Sequence, residues 1–233
     1  MPVEPLRRVH AGAADGIMER PVQRPTMPDP RPASADACRI EIATGPEATA
    51  HLARIAALRM AVFREWPYLY AGDEAYEREY LAAYAASPRS VFVLALAGDE
   101  VVGVATGVPL ADEAPAFRAP FEQHGPDPAQ VFYFGESVLL PEWRGQGVGH
   151  AFFDGREAHA RALGGFAWTA FAAVERSPDD PRRPARPRSH DAFWRGRGYA
   201  PRPGLALELE WSEPGRGPCA HTLQVWLRAL EPA

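Results

Sequence analysis

The stretch Val138-Leu139-Leu140-Pro141-Glu142-Trp143-Arg144-Gly145-Gln146-Gly147-Val148-Gly149-His150 decides how the rest of this chain is read. An apolar run of strand character stops at Pro141, the segment from Arg144 to Gly149 follows, and a long stretch of helical spacing begins after it. A glycine-rich turn that opens a helix presents N–H groups with no intrahelical carbonyl at the positive end of the helix dipole, and so suits a phosphate. Its glycines permit positive φ and let a ligand reach the backbone without meeting a Cβ. The same residues exclude two better-known phosphate loops. The Gly-Lys-Ser/Thr of a P-loop is missing, and Gly145-x-Gly147-x-Gly149 lacks the spacing of Gly-x-Gly-x-x-Gly.

Working outward, residues 131–140 read as the strand that feeds this turn, and residues 147–163 as the helix it opens, ended by Gly164-Gly165. Residues 166–174 form a buried strand, and after an Arg- and Pro-rich loop residues 189–197 form a short helix closed by Gly198. Strands over 205–211 and 222–230 complete the chain. Upstream, residues 90–97 and 101–108 flank Gly98-Asp99-Glu100 as a β-hairpin. A helix starts at Thr44-Gly45-Pro46-Glu47 and runs to Trp66-Pro67, and a second covers about 73–86. Arg39-Ile40-Glu41-Ile42 alternates as a short strand, and 109–130 is irregular with one helical stretch near 114–123.

Strand, Pro141, then Arg144-x-x-Gly147-x-Gly149 opening a helix resembles the acyl-CoA pyrophosphate loop of the GCN5-related N-acetyltransferase (GNAT) superfamily. That family's pattern, Arg/Gln-x-x-Gly-x-Gly/Ala, is matched at every fixed position. The element order β-α-α-β-β-β-α-β-α-β-β is similar too. The resemblance implies an α/β (α+β) fold, a mixed and mostly antiparallel sheet of about seven strands with helices on both faces. It implies acetyl-CoA as co-substrate, with pantetheine inserted beside the splayed strand against the backbone of Val138, Leu139 and Leu140. The pyrophosphate would then sit on the amides of Arg144, Gly145, Gln146, Gly147, Val148 and Gly149, with Arg144 and His150 at the rim. Asp191-Ala192-Phe193-Trp194-Arg195-Gly196-Arg197-Gly198-Tyr199 is similar to the family's late helix and turn, Ala-x-x-Phe-Tyr-x-x-x-Gly-Phe. Trp194 stands where a tyrosine acid is usual, and an indole N–H cannot hand a proton to a leaving thiolate as a phenol can.

Such transfer needs a neutral amine, a polarised thioester carbonyl and a protonated or hydrogen-bonded thiolate. Glu136 is the candidate base, a carboxylate within the apolar strand Phe132-Tyr133-Phe134-Gly135-Glu136-Ser137-Val138, where desolvation would raise its pKa. His190 and Tyr199 flank Trp194 and are the replacement acids. Trp66, Tyr68 and Tyr70, in an aromatic segment between the first two helices, together with Tyr133, are the candidate acceptor-binding residues. No metal-ligand pattern is present, and Cys38 and Cys219 make neither a metal pair nor a disulfide framework.

The 25 basic residues of this 233-residue chain are all Arg. The absence of Lys rules out Schiff-base and P-loop lysine chemistry. A net charge of −5 gives no general attraction to nucleic acid or to an anionic membrane. No run approaches the length of a membrane span, and no signal-peptide pattern is present, so a cytoplasmic location is expected. Residues 1–37 read as a disordered Pro/Arg-rich arm and 38–233 as the acyltransferase domain. The expected activity is transfer of acetyl from acetyl-CoA to the primary amine of a small molecule by direct attack; the alternative is a degenerate acyl-CoA-binding or regulatory module. The molecule is expected as a monomer or a homodimer, the last strand being exposed to pair across a dimer.

Overall fold

A computed structural model of the chain describes residues 38–231; the arm expected over 1–37 lies outside the described residues. Strand β1 (Arg39–Thr44) leads through a 3-10 turn into α1 (Leu52–Phe63) and α2 (Glu74–Ala86). Asp73 caps α2, its side chain accepting the Tyr76 N–H at 2.7 Å. The hairpin β2 (Val91–Ala97) and β3 (Glu100–Pro109) is followed by α3 (Pro115–His124). Then come β4 (Val131–Leu139), α4 (Val148–Leu163), β5 (Trp168–Val174), α5 (Asp191–Gly196), β6 (Ala200–Glu213) and β7 (Gly217–Ala229).

The seven strands form one sheet in the order β1-β2-β3-β4-β5-β7-β6. Every neighbouring pair is antiparallel except β4 with β5. Strand alternation decides which helix lies on which face. Along β2, Val91, Val93 and Ala95 pack in one core with Phe152, Phe153 and Ala160 of α4. Phe92, Leu94 and Leu96 pack in another with Ile55 and Leu58 of α1 and Leu81 of α2. Both faces are therefore covered, which is why β2 and β3 read as nearly unbroken apolar runs. A third core, with Phe121 of α3 and Leu205 and Leu207 of β6, lies beneath the far half of the sheet.

The last strand is not at an edge, contrary to the expectation that it could pair across a dimer. β7 runs between β5 and β6, and its Val225 and Trp226 are 0% and 4% exposed. The edges belong to β1 and β6. On β6, alternating exposed residues with Pro201 and Pro203 near its start mark an edge that discourages further pairing.

Candidate active site

β4 and β5 are paired only at Val131↔Trp168, Phe132↔Thr169 and Tyr133↔Ala170. Beyond these residues the two strands part, β4 staying with β3 and β5 with β7. The side of β4 facing β5 is thus without a strand partner from Phe134 to Leu139. A cleft of about 1090 Å³ opens there, bordered by Gly135, Glu136, Ser137 and Leu139 on β4 and by Phe171 to Val174 on β5.

A β-bulge sets the chemistry of this edge. Ala105 pairs with Ser137 and Gly107 with Phe134, so Gly135 and Glu136 together oppose Thr106 alone. Phe132 and Phe134 point to the α4 side, and an unbulged strand would send Glu136 there as well. The extra residue turns Glu136 toward α1 and α2. There its Oε2 lies 2.7 Å from Nη1 of Arg59 and accepts the Tyr80 hydroxyl at 3.0 Å. Gly135 is required by the same crowding, since a Cβ would meet the Tyr84 hydroxyl at 2.6 Å and Thr106 Oγ1 at 2.7 Å. On the opposite side Arg156 of α4 holds the bulge. Its Nη1 donates to the carbonyls of Thr106 at 3.3 Å and Glu136 at 3.1 Å, and its Nε donates to Phe152.

Glu136 is 6% exposed, and its Oε1 has no hydrogen-bond partner among the described residues. Burial opposes the Arg59 charge, but the carboxylates of Glu136 and Glu77 outweigh burial and keep the guanidinium charged. Desolvation raises the hydroxyl pKa of Tyr80 and Tyr84, so both remain neutral phenols. It also raises Glu113, which accepts the Tyr84 hydroxyl.

The glycine turn sits at the mouth of the cleft. Gly145 (φ 82°) and Gly147 (φ 87°) occupy the left-handed region, and a Cβ on either would meet nothing within 4 Å. The N–H groups of His150 and Ala151 donate to the Gly147 carbonyl, so the amides ahead of them precede the first helical bond. Arg144 folds back, its Nε donating to the Leu139 carbonyl at 3.1 Å and its Nη2 3.4 Å from Glu65. Arg144, Gly145, Gly147, Gly149 and His150 border the cleft. The side chains of Val138 and Val148 are buried in the cores, Gln146 donates to the Glu142 carbonyl, and the Leu140 N–H is already bonded to Val102.

Of the remaining expected residues, Trp66, Tyr68 and His190 line the cleft, as does Trp194. Tyr68 is pushed up to about 12 by desolvation. His190 is held below its ordinary value by desolvation and by the positive charges of Arg188 and Arg144. Tyr199 is not brought to the cleft. It is 2% exposed, and its hydroxyl lies 2.8 Å from Thr169 Oγ1 and 3.2 Å from Glu157. Tyr133 is buried under α3 against Phe117, and the Tyr70 hydroxyl accepts the Asp73 N–H at 3.3 Å; neither borders the cleft. Arg59, Tyr80 and Arg156 escaped the sequence reading. A signal existed for both arginines, since Arg59 follows Ile55 and Arg156 follows Phe152 at one helical turn, on buried stripes where a charge needs a reason. Among the described residues no group of His, Cys, Asp and Glu is placed to hold a metal ion, and no helix is long and apolar enough to cross a membrane.

The acetyltransferase (GNAT) family model matches residues 55–182, which take in most of α1, the bulge, the glycine turn and β5. Among solved structures, an N-acetyltransferase from Staphylococcus aureus Mu50 is similar in fold at 11% identity and a TM-score of 0.54, covering 83% of this chain and 99% of its own. A ribosomal-protein-alanine N-acetyltransferase from Brucella melitensis is similar at 15% identity and a TM-score of 0.53, covering 82% and 99%. An aminoglycoside 6'-N-acetyltransferase complexed with coenzyme A is similar at 13% identity and a TM-score of 0.52, covering 83% and 98%. No curated protein matches the chain. These structural likenesses concern the fold. The family match spans more than half of the sequence, and the chain belongs to the acetyltransferase (GNAT) family.

Proposed function

We propose that this protein transfers an acyl group from a CoA thioester, acetyl-CoA in the first instance, to the primary amine of a small molecule bound between β4 and the α1–α2 link. The observation that carries this reading is Glu136. The bulge turns its carboxylate to the acceptor side of a cleft whose other end is a phosphate-type turn, and one of its oxygens is left free.

The residues present suit the donor. The cleft is at the upper end of the range for small-molecule sites, roughly 1,000 Å³. The space beside Gly145 and Gly147 admits a pyrophosphate to the backbone. The partnerless edge of β4 offers main-chain groups to the pantetheine amides, and an N–H from it is suited to polarise the thioester carbonyl. When bound, the thioester supplies the activated acyl carbon.

The chain's own residues do the rest. On the α1–α2 face of the sheet, Glu77 and Glu136 are two buried carboxylates against one guanidinium, Arg59, an arrangement that favours a cationic amine beside them. Trp66 and Tyr68 flank its approach. Glu136 Oε1 takes one proton from the ammonium, and the neutral amine nitrogen bonds to the acyl carbon as the C–S bond breaks. Its second proton passes to the departing sulfur to give the CoA thiol, and Glu136 releases its proton to solvent. His190, on the cleft wall, would donate a hydrogen bond to that sulfur as the neutral imidazole that its lowered pKa favours.

Trp194 favours a second reading. It packs against Phe171 and Trp226 with ring centroids 5.0 Å apart in each case, and it supplies no phenol where the family often has one. In that reading the chain binds acyl-CoA without turnover. Free-thiol release from acetyl-CoA over a panel of primary amines separates the two. Amine-dependent release supports the enzyme, whereas tight binding with no release by any amine supports the module.

A further inference from the structure

The clamp on the bulge carries a charge that the fold does not balance. Among the described residues, the guanidinium groups of Arg59 and Arg176 are also deeply buried, and each sits directly against a carboxylate. Arg156 is 1% exposed and makes no ion pair with any carboxylate among the described residues; those of Glu136 and Glu157 act on it only at longer range. The rings of Phe134 and Phe153 close on it at 4.1 and 4.8 Å, and its three hydrogen bonds are to backbone carbonyls. Its Nη2 has no hydrogen-bond partner among the described residues. Uncompensated burial lowers its pKa to about 10. A buried cation without a counter-ion is costly, and the cost falls when a ligand supplies the anion.

Arg156 forms part of the cleft wall, and its place along the cleft is informative. The glycine turn lies at the mouth, and the free edge of β4 runs from Leu139 back to Phe134, where β4 and β5 close together again. An acyl-CoA held by its pyrophosphate at the turn and its pantetheine along that edge would end beside the bulge. Glu136 presents its carboxylate toward α1 and α2, and its main-chain carbonyl toward Arg156. The acceptor amine and Arg156 therefore approach the acyl position from opposite faces of the sheet. We propose that the preferred donor is an acyl-CoA whose acyl chain ends in a carboxylate, of the malonyl or succinyl type, with that carboxylate paired to Arg156. This rests on the reading of the cleft as an acyl-CoA site and names the donor class it selects.

The test is equilibrium binding by calorimetry of CoA, acetyl-CoA and the unreactive thioether analogue of succinyl-CoA to the full-length wild-type protein. The proposal expects the carboxylated analogue to bind at least about tenfold more tightly than acetyl-CoA. It also expects Arg156→Met to bring that ratio close to one while CoA itself still binds. The comparison on the wild type needs no variant, so a folding defect in Arg156→Met would not obscure it. Binding of CoA and acetyl-CoA with no gain for the carboxylated analogue overturns the proposal and leaves Arg156 as a clamp on the bulge carbonyls. Failure of all three to bind overturns the acyl-CoA reading itself.

Discussion

At the scale of single residues, Glu136 has a charged partner on one oxygen and none among the described residues on the other, and the proposed base role rests on that free oxygen at the cleft. Glu136→Gln keeps the shape and the Tyr80 contact but removes the proton acceptor. We expect turnover to fall about 100-fold or more, with acyl-CoA affinity within a factor of about two. Steady-state kinetics beside a binding titration check both, and an unchanged pH–rate profile would remove Glu136 as base. Tyr199→Phe should behave in the opposite way. Its hydroxyl is spent on Thr169 and Glu157, so the loss appears as about 1–2 kcal/mol of stability in a denaturant titration. A large loss of turnover at unchanged stability would instead return Tyr199 to the site. Glu136 was legible in sequence as a carboxylate inside an apolar strand. Its direction was not, because alternation counts residues by twos and the bulge inserts one more. Arg59 and Tyr80, its partners, lie far away in sequence, and only the folded chain brings them to it.

At the scale of elements, the turn from Arg144 to Gly149 and the start of α4 were the most legible part of the chain. Local rules fix them: a proline stop, glycines at positive φ and an open helix start. Gly147→Asp would put a Cβ at φ 87° and a negative charge where phosphate is expected, and CoA binding should become undetectable by calorimetry. Affinity within about tenfold of wild type would show that the turn does not hold the cofactor's phosphates. Strand order was harder to read than strand position. β6 and β7 are visible as apolar alternation, but nothing local says that the later strand inserts next to β5 and leaves the earlier one at the edge. The splay between β4 and β5 is equally invisible in sequence, since it is the absence of pairing between strands that each look regular.

At the scale of the whole molecule, Glu157 ties the two halves of the site's support together. Its Oε1 accepts Arg228 of β7 at 2.8 Å, Arg197 after α5 at 3.3 Å and the Tyr199 hydroxyl at 3.2 Å. Glu157→Ala leaves Arg228 without its carboxylate partner, while Arg197 keeps Asp154 at 2.6 Å. The expected loss is about 3 kcal/mol, at the low end for a buried pair because Arg228 is partly open to solvent. A shift in unfolding midpoint worth less than about 1 kcal/mol would contradict this role. The opening between β4 and β5 is the proposed meeting place of an acyl-CoA and an amine beside Glu136. A crystal structure of the protein grown with acetyl-CoA tests this directly. Pyrophosphate density is expected on the amides from Gly145 to Gly149, with pantetheine along the free edge of β4 and the acyl carbon within reach of Glu136 Oε1. Density for the nucleotide elsewhere, or a β4–β5 opening closed by protein with the ligand outside it, would overturn the proposed site.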